Sequence, residues 1–116
     1  MRRPAGSFGC QAGTVTAYVI AEAEHRDSPE VRRYRELARE SVVRHGGRYL
    51  TRGALPGVLE GGWPEAHRMT VIAFASRRDA ERWYASPEYA AARATRSDLA
   101  GRRLLLVEGP AEPPPS

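Results

Sequence analysis

Apolar positions along this chain switch between a period of two and a period near 3.6, and the switches mark out strands and helices in turn. Thr14 to Ala23 reads as a first strand, with Tyr18, Ile20 and Glu22 on one face and Val19, Ala21 and Ala23 on the other. Both faces are mostly apolar, which calls for cover on two sides, helices on one and a partner subunit on the other. Ser28-Pro29-Glu30 then opens a helix. Serine caps it, proline suits the first turn, and glutamate favours the positive end of the helix dipole. Val31, Tyr34, Leu37, Ala38, Ser41, Val42 and His45 recur at helical spacing, and Arg32, Arg35, Glu36, Arg39 and Glu40 fill the opposite face. Gly46-Gly47 ends the helix through a left-handed cap, leaving His45 in the last turn, where a capping role suits an imidazole.

Arg48 to Ala54 is a second strand, Leu55-Pro56-Gly57 turns the chain, and Val58-Leu59-Glu60 reads as a further extended run before the loop Gly61-Gly62-Trp63-Pro64. Arg68 to Ala75 is a third strand, alternating Met69, Val71 and Ala73 with Thr70, Ile72 and Phe74. Ser76-Arg77-Arg78-Asp79 has the form of a capping box and opens a second helix with Ala80, Trp83 and Tyr84 inward. Ser86-Pro87-Glu88 restarts a helix as the first one began, with Tyr89, Ala92 or Arg93, Arg96 and Leu99 inward, and Arg103 to Glu108 is a last strand. Strand, helix, strand, strand, helix, strand with right-handed crossovers gives an α+β fold, the ferredoxin-like βαββαβ arrangement. It is a four-stranded antiparallel sheet with its helices on one face. The other face is left for a second copy, sheet against sheet.

A chain of 116 residues makes one domain, here residues 14–109, with 1–13 a flexible leader and 110–116 a proline-rich tail. The apolar runs are too short for a membrane span, and Pro4-Ala5-Gly6-Ser7 stands where a signal peptide would need an apolar core, so a cytoplasmic address is expected. All 18 basic residues are arginine. Without lysine there is no Schiff base, hence no pyridoxal-phosphate attachment and no aldolase-type amine catalysis. The net charge of +4 invites a nucleic-acid reading. Against it, the arginines are scattered among 14 carboxylates and never run beyond pairs, and Arg68 to Phe74 lacks the aromatic pattern of an RNA-binding sheet.

Cys10 is single and sits outside any periodic segment, so it forms no intramolecular disulfide. Glu22, Glu24, His25 and Asp27 crowd the end of the first strand. Carboxylates around one histidine suit a divalent metal, but strand ends carry such clusters for solubility, and no metal site is assigned. An arginine inside a strand of so small a domain must reach solvent, a carboxylate or an anionic ligand. Arg52 is therefore either the partner of Glu60, an ion pair holding two extended segments in register, or a ligand's counter-charge. His25, at the mouth of the first strand, has an ordinary pKa near neutrality and suits a proton shuttle. Tyr34, Trp83 and Tyr89 face the sheet, where they are core residues or the aromatic wall of a site. The two tyrosines then need partners that Arg52, Glu60 and Arg96 can supply. No catalytic triad, nucleophile elbow, phosphate loop or dinucleotide fingerprint is present.

Tyr18-Val19-Ile20-Ala21, Gly46-Gly47-Arg48-Tyr49-Leu50-Thr51-Arg52-Gly53, Leu59-Glu60-Gly61 with Trp63, Phe74-Ala75-Ser76, Ala80-Glu81-Arg82-Trp83-Tyr84, Ser86-Pro87-Glu88-Tyr89 and Val107-Glu108-Gly109 follow one another in order. As an ordered set they resemble domain-of-unknown-function family 1330, small bacterial proteins of the dimeric α+β-barrel superfamily. Ala54 departs from the pattern, which usually has another glycine there. The resemblance implies a ferredoxin-like dimer and no settled activity. Antibiotic-biosynthesis monooxygenases and muconolactone isomerases are similar in fold and work without metal or organic cofactor on small cyclic or aromatic molecules. By that analogy the expected function is a cofactor-independent isomerase, cyclase or monooxygenase acting on a small, anionic, aromatic or cyclic metabolite. His25, Tyr34 and Glu60 are then the candidate catalytic groups, and Arg52, Trp83, Tyr89 and Arg96 the candidate substrate contacts. The alternative is a non-catalytic small-molecule-binding or assembly protein. Expected partners are a second copy and a small ligand, with neither nucleic acid nor membrane.

Overall fold

The computed structural model describes residues 15–96 and 102–110. The chain runs β1 (Val15–Glu24), α1 (Pro29–Arg44), β2 (Arg48–Ala54), β3 (His67–Phe74), α2 (Arg77–Tyr84), α3 (Pro87–Arg93) and β4 (Arg103–Pro110). The strands form one antiparallel sheet in the order β2-β3-β1-β4. This is the ferredoxin-like arrangement, with β1 and β3 at its centre.

Each helix starts where a serine stops an orphan amide. Ser28, Ser76 and Ser86 are extended and accept from the backbone N–H groups of Val31, Asp79 and Tyr89, and proline follows two of them. Helix α1 ends at Gly46, whose φ of 80° is open to glycine at little cost. The Gly47 N–H then returns to the Val42 carbonyl at 2.9 Å, closing the left-handed cap. His45 reaches across from this end, its Nε2 donating to Glu88 Oε1 at 2.9 Å, so the capping histidine also ties α1 to α3.

The inward face of α1 carries the expected residues: Val31, Tyr34, Ala38, Ser41 and Val42 are buried and Leu37 packs beside them. Of these, Tyr34, Ala38 and Val42 form one core with Ala17 and Val19 of β1, Ile72 and Phe74 of β3, and Ala80, Trp83, Tyr89 and Ala92 of the other helices. Tyr84, expected inward, is 48% exposed and lies under Arg93, whose Nη1 donates to its hydroxyl at 2.7 Å. Helix α2 is only eight residues long, and Ala80 and Trp83 already fill its inner face.

The opposite face of the sheet has no helix. Rows run across it in register, Val107–Tyr18–Ala73 and Leu105–Ile20–Val71, so the surface is apolar through its middle. Below them Glu22 accepts from His67 Nδ1 at 2.8 Å and lies 3.7 Å from Arg103 Nε.

Two expectations are corrected. Residues 55–66 hold no strand, so Val58-Leu59-Glu60 is not a further extended run. Pro56 cannot donate to a ladder, and the segment turns outward with Leu59 99% exposed. Pro110, assigned to the tail, is the last residue of β4 and pairs with Val15; the end of an edge strand tolerates a residue without an N–H. Thr14 and Leu99 lie outside the described residues.

Candidate ligand-binding site

A cavity of about 120 Å³ lies between the sheet and α1. Its walls are apolar: Val19 and Ala21 of β1, Ile72 of β3, Leu104 of β4, Val31 of α1 and the indole of Trp83. Its rim is cationic. Arg26, Arg35, Arg52, Arg68, Arg96 and Arg102 line it against one carboxylate, Glu24, which is itself paired with Arg26. For scale, an apolar cavity of ~150 Å³ holds a benzene molecule.

On β4, alternation sets which side chains reach the cavity. Leu104 and Leu106 turn toward the helices, and carrying the same parity back by two places brings Arg102 inward as well. One Arg102 nitrogen, Nη2, donates to the hydroxyls of both Tyr34 and Tyr89, the latter at 2.5 Å. The two phenol oxygens are 2.8 Å apart and share a hydrogen bond, and the guanidinium carbon sits 4.6 Å from the Tyr34 ring centre. Burial pushes the Tyr89 hydroxyl pKa well above its usual value and the neighbouring Tyr34 adds to the rise, while Arg102 pulls the other way. Tyr89 is therefore a neutral phenol at physiological pH. Burial likewise raises Tyr49, which lines the cavity from β2, against an opposing pull from Arg52.

Of the residues singled out in the sequence, His25, Tyr34, Arg52, Trp83 and Arg96 all border this cavity. Trp83 is 2% exposed and serves both as core and as cavity wall. Its indole lies 4.4 Å from the Tyr89 ring and 5.5 Å from Phe74, and its Nε1 donates to Ser41 Oγ at 2.9 Å. Tyr89 stands behind Tyr34, outside the lining, and acts on the site through its hydroxyl. Arg96 is partly buried with its guanidinium 5.2 Å from the Tyr34 ring centre. His25 is exposed at the mouth, its backbone N–H tied to the Ala66 carbonyl.

Glu60 does not join them. It is exposed on the 55–66 loop, outside the lining, and among the described residues it makes no ion pair. The alternative of an Arg52–Glu60 pair is not realised: Arg52 Nη2 donates to the Arg35 carbonyl at 2.7 Å, with its guanidinium 4.9 Å from the Tyr49 ring centre. The acidic cluster at the end of β1 also disperses. Glu22 turns to His67, Glu24 to Arg26 and Asp27 to Arg32, and among the described residues no group of three or more His, Cys, Asp and Glu side chains is placed to hold a metal ion. Arg102, Tyr49 and Arg35, the last expected on the polar face of α1, are among the cavity residues that the sequence does not single out. Tyr49 and Arg52 have opposite parity on β2 yet both line the cavity, because the pairing with β3 is irregular between them.

The family model described as Domain of unknown function (DUF1330) matches residues 16–110. Among solved structures the chain is similar to RPA0582, a protein of unknown function from Rhodopseudomonas palustris, with a TM-score of 0.58 and 17% identity over 89% of each chain. The methylated RPA0582 protein gives a TM-score of 0.58 at 16% identity, over 84% of this chain and 82% of that one. At such identities the likeness is one of fold. No curated protein matches the chain.

Proposed function

The chain belongs to the DUF1330 family, matched over residues 16–110, and we propose that it binds a small, anionic, aromatic or cyclic metabolite in the cavity beneath its sheet and converts it without metal or organic cofactor. The observation that carries this reading is the cavity itself, apolar and aromatic in its walls and ringed by arginines. Apolar walls take up a flat molecule by area, and the cations fix its orientation. The reaction class that suits these groups is isomerisation, cyclisation or oxygenation of an activated ring. Proton movement falls to His25 at the mouth and the Tyr34 hydroxyl inside.

In this reading the working unit is a cytoplasmic homodimer of a bacterial protein, its helix-free sheet faces packed together. The apolar rows around Tyr18 and Ile20 support that arrangement. The test is incubation with a panel of hydroxylated aromatic and cyclic carboxylic acids, read by oxygen uptake and by mass spectrometry of the products. Turnover without added cofactor, lost in Tyr34→Phe, is the expected result. Binding across the panel with no turnover overturns the enzymatic reading and leaves a small-molecule-binding protein.

A further inference from the structure

We infer that Arg102 and Tyr34 together form a seat for the carboxylate of the ligand, built entirely of hydrogen-bond donors. The inference rests on the reading of the cavity as a ligand site and names the chemistry of the group held there. It comes from counting protons. Arg102 Nη2 has two hydrogens and spends both, one on each tyrosine hydroxyl. The hydrogen bond between the two phenols uses one of their two protons. One phenolic proton is left over.

Tyr89 is 1% exposed and stands outside the cavity lining, whereas Tyr34 borders the cavity. If Tyr34 donated to Tyr89, the surplus proton would sit unpaired in the core, the costly arrangement for a polar group. The economical assignment has Tyr89 donating to Tyr34, which frees the Tyr34 O–H toward the cavity. The oxygen of Tyr34 then accepts from both Arg102 and Tyr89 and has no acceptor capacity to offer a ligand.

Arg102 supplies the rest. Its Nη1 is buried and has no hydrogen-bond partner among the described residues, and Arg102 borders the same cavity. Arg102, whose Nη1 hydrogens are unpaired, and Tyr34, whose O–H is left over, thus border one space. A cation and a set of donors with no acceptor among them suit an anionic oxygen pair, and a guanidinium binds a carboxylate better than it binds a neutral hydroxyl. With Val19, Ile72, Trp83 and Leu104 around the remaining space, the fitting class is a carboxylate on a flat apolar ring. Glu24, the acid on the lining, is held by Arg26 and leaves that field unopposed.

Benzoate and its neutral counterpart benzyl alcohol are the probes, titrated into the full-length protein by heteronuclear NMR. Benzoate is expected to bind at least about tenfold more tightly, since hydrogen bonds to a charged group outweigh neutral ones. Arg102→Met should weaken benzoate about tenfold to a hundredfold while moving benzyl alcohol little. Tyr34→Phe, which keeps the ring and removes the donor, gives a second reading of the same kind and serves if Arg102→Met does not fold. If both probes bind alike and neither variant separates them, the donor seat is wrong and the cavity stands. If neither probe binds, the cavity reading falls and the seat with it.

Discussion

A methyl group has no room at Gly47. A Cβ there would come within 2.7 Å of Phe74 Cε1 and 2.9 Å of Val42 Cγ1. Phe74 is itself 2% exposed and has nowhere to go, so Gly47→Ala should destabilise the fold by ~1–3 kcal/mol, the usual range for overpacking. A lowered midpoint of chemical denaturation with an unchanged slope is the signature. Ser41 is the buried acceptor for the Trp83 indole. Ser41→Ala strands that N–H and should cost about 1–3 kcal/mol by the same measurement. Glu60→Gln, in contrast, should move stability by less than about 0.5 kcal/mol, because its carboxylate faces solvent. The pair Gly46-Gly47 announces a helix end to anyone reading the sequence. The second glycine's other reason, the ring of Phe74 on β3, is a tertiary contact and leaves no local trace.

At the scale of elements, serine caps and helical spacing carry most of the information, and α1 presents the face its periodicity promises. The failures lie where a pattern is too short to constrain the chain. The 55–66 loop has apolar residues but a proline and no sustained alternation, so an extended run could be read into it. Arg102 precedes Arg103 and the unbroken run Leu104-Leu105-Leu106-Val107, which is apolar on both faces and so gives the sequence no parity by which to turn Arg102 inward.

One link between elements is pH-sensitive. The hydrogen bond from His45 holds the Glu88 carboxyl below its ordinary pKa of 4.5, with help from the backbone at the start of α3. A lowered native pKa means that the unfolded chain binds the proton first. The contribution is therefore present above pH 4.5 and is lost as the pH falls through the lower, native value. Denaturation curves taken from about pH 6 to about pH 3 should show stability falling on acidification, with a shallower fall in Glu88→Gln.

For the whole molecule, the helix-free sheet face is the surface on which the proposed homodimer rests. Leu50, Leu105 and Val107 are each more than two-fifths exposed on strands whose other side faces the core. Ile20 sits between Val71 and Leu105 at the centre of that surface. The proposed homodimer should sediment as such at micromolar concentration, and Ile20→Glu should convert it to monomer by placing a charge in the middle of an apolar interface. A wild-type protein that sediments as a monomer would remove the sheet-to-sheet arrangement. This surface was foreseeable because the first and third strand patterns are apolar on both faces, and one layer of helices covers one face.

The buried indole of Trp83 has a practical consequence. It forms a wall of the cavity and touches the aromatic cluster of Tyr89 and Phe74, while Trp63 lies on the loop with its Nε1 on the His67 carbonyl. Replacing Trp63 with phenylalanine leaves a protein with one tryptophan, at its candidate site, which can be excited selectively over the five tyrosines. Its emission should be that of an indole shielded from water, and a flat guest settling against the ring should alter its intensity. The chain thus carries its own optical sensor for whatever occupies the cavity, and libraries of colourless compounds can be screened on the unlabelled protein.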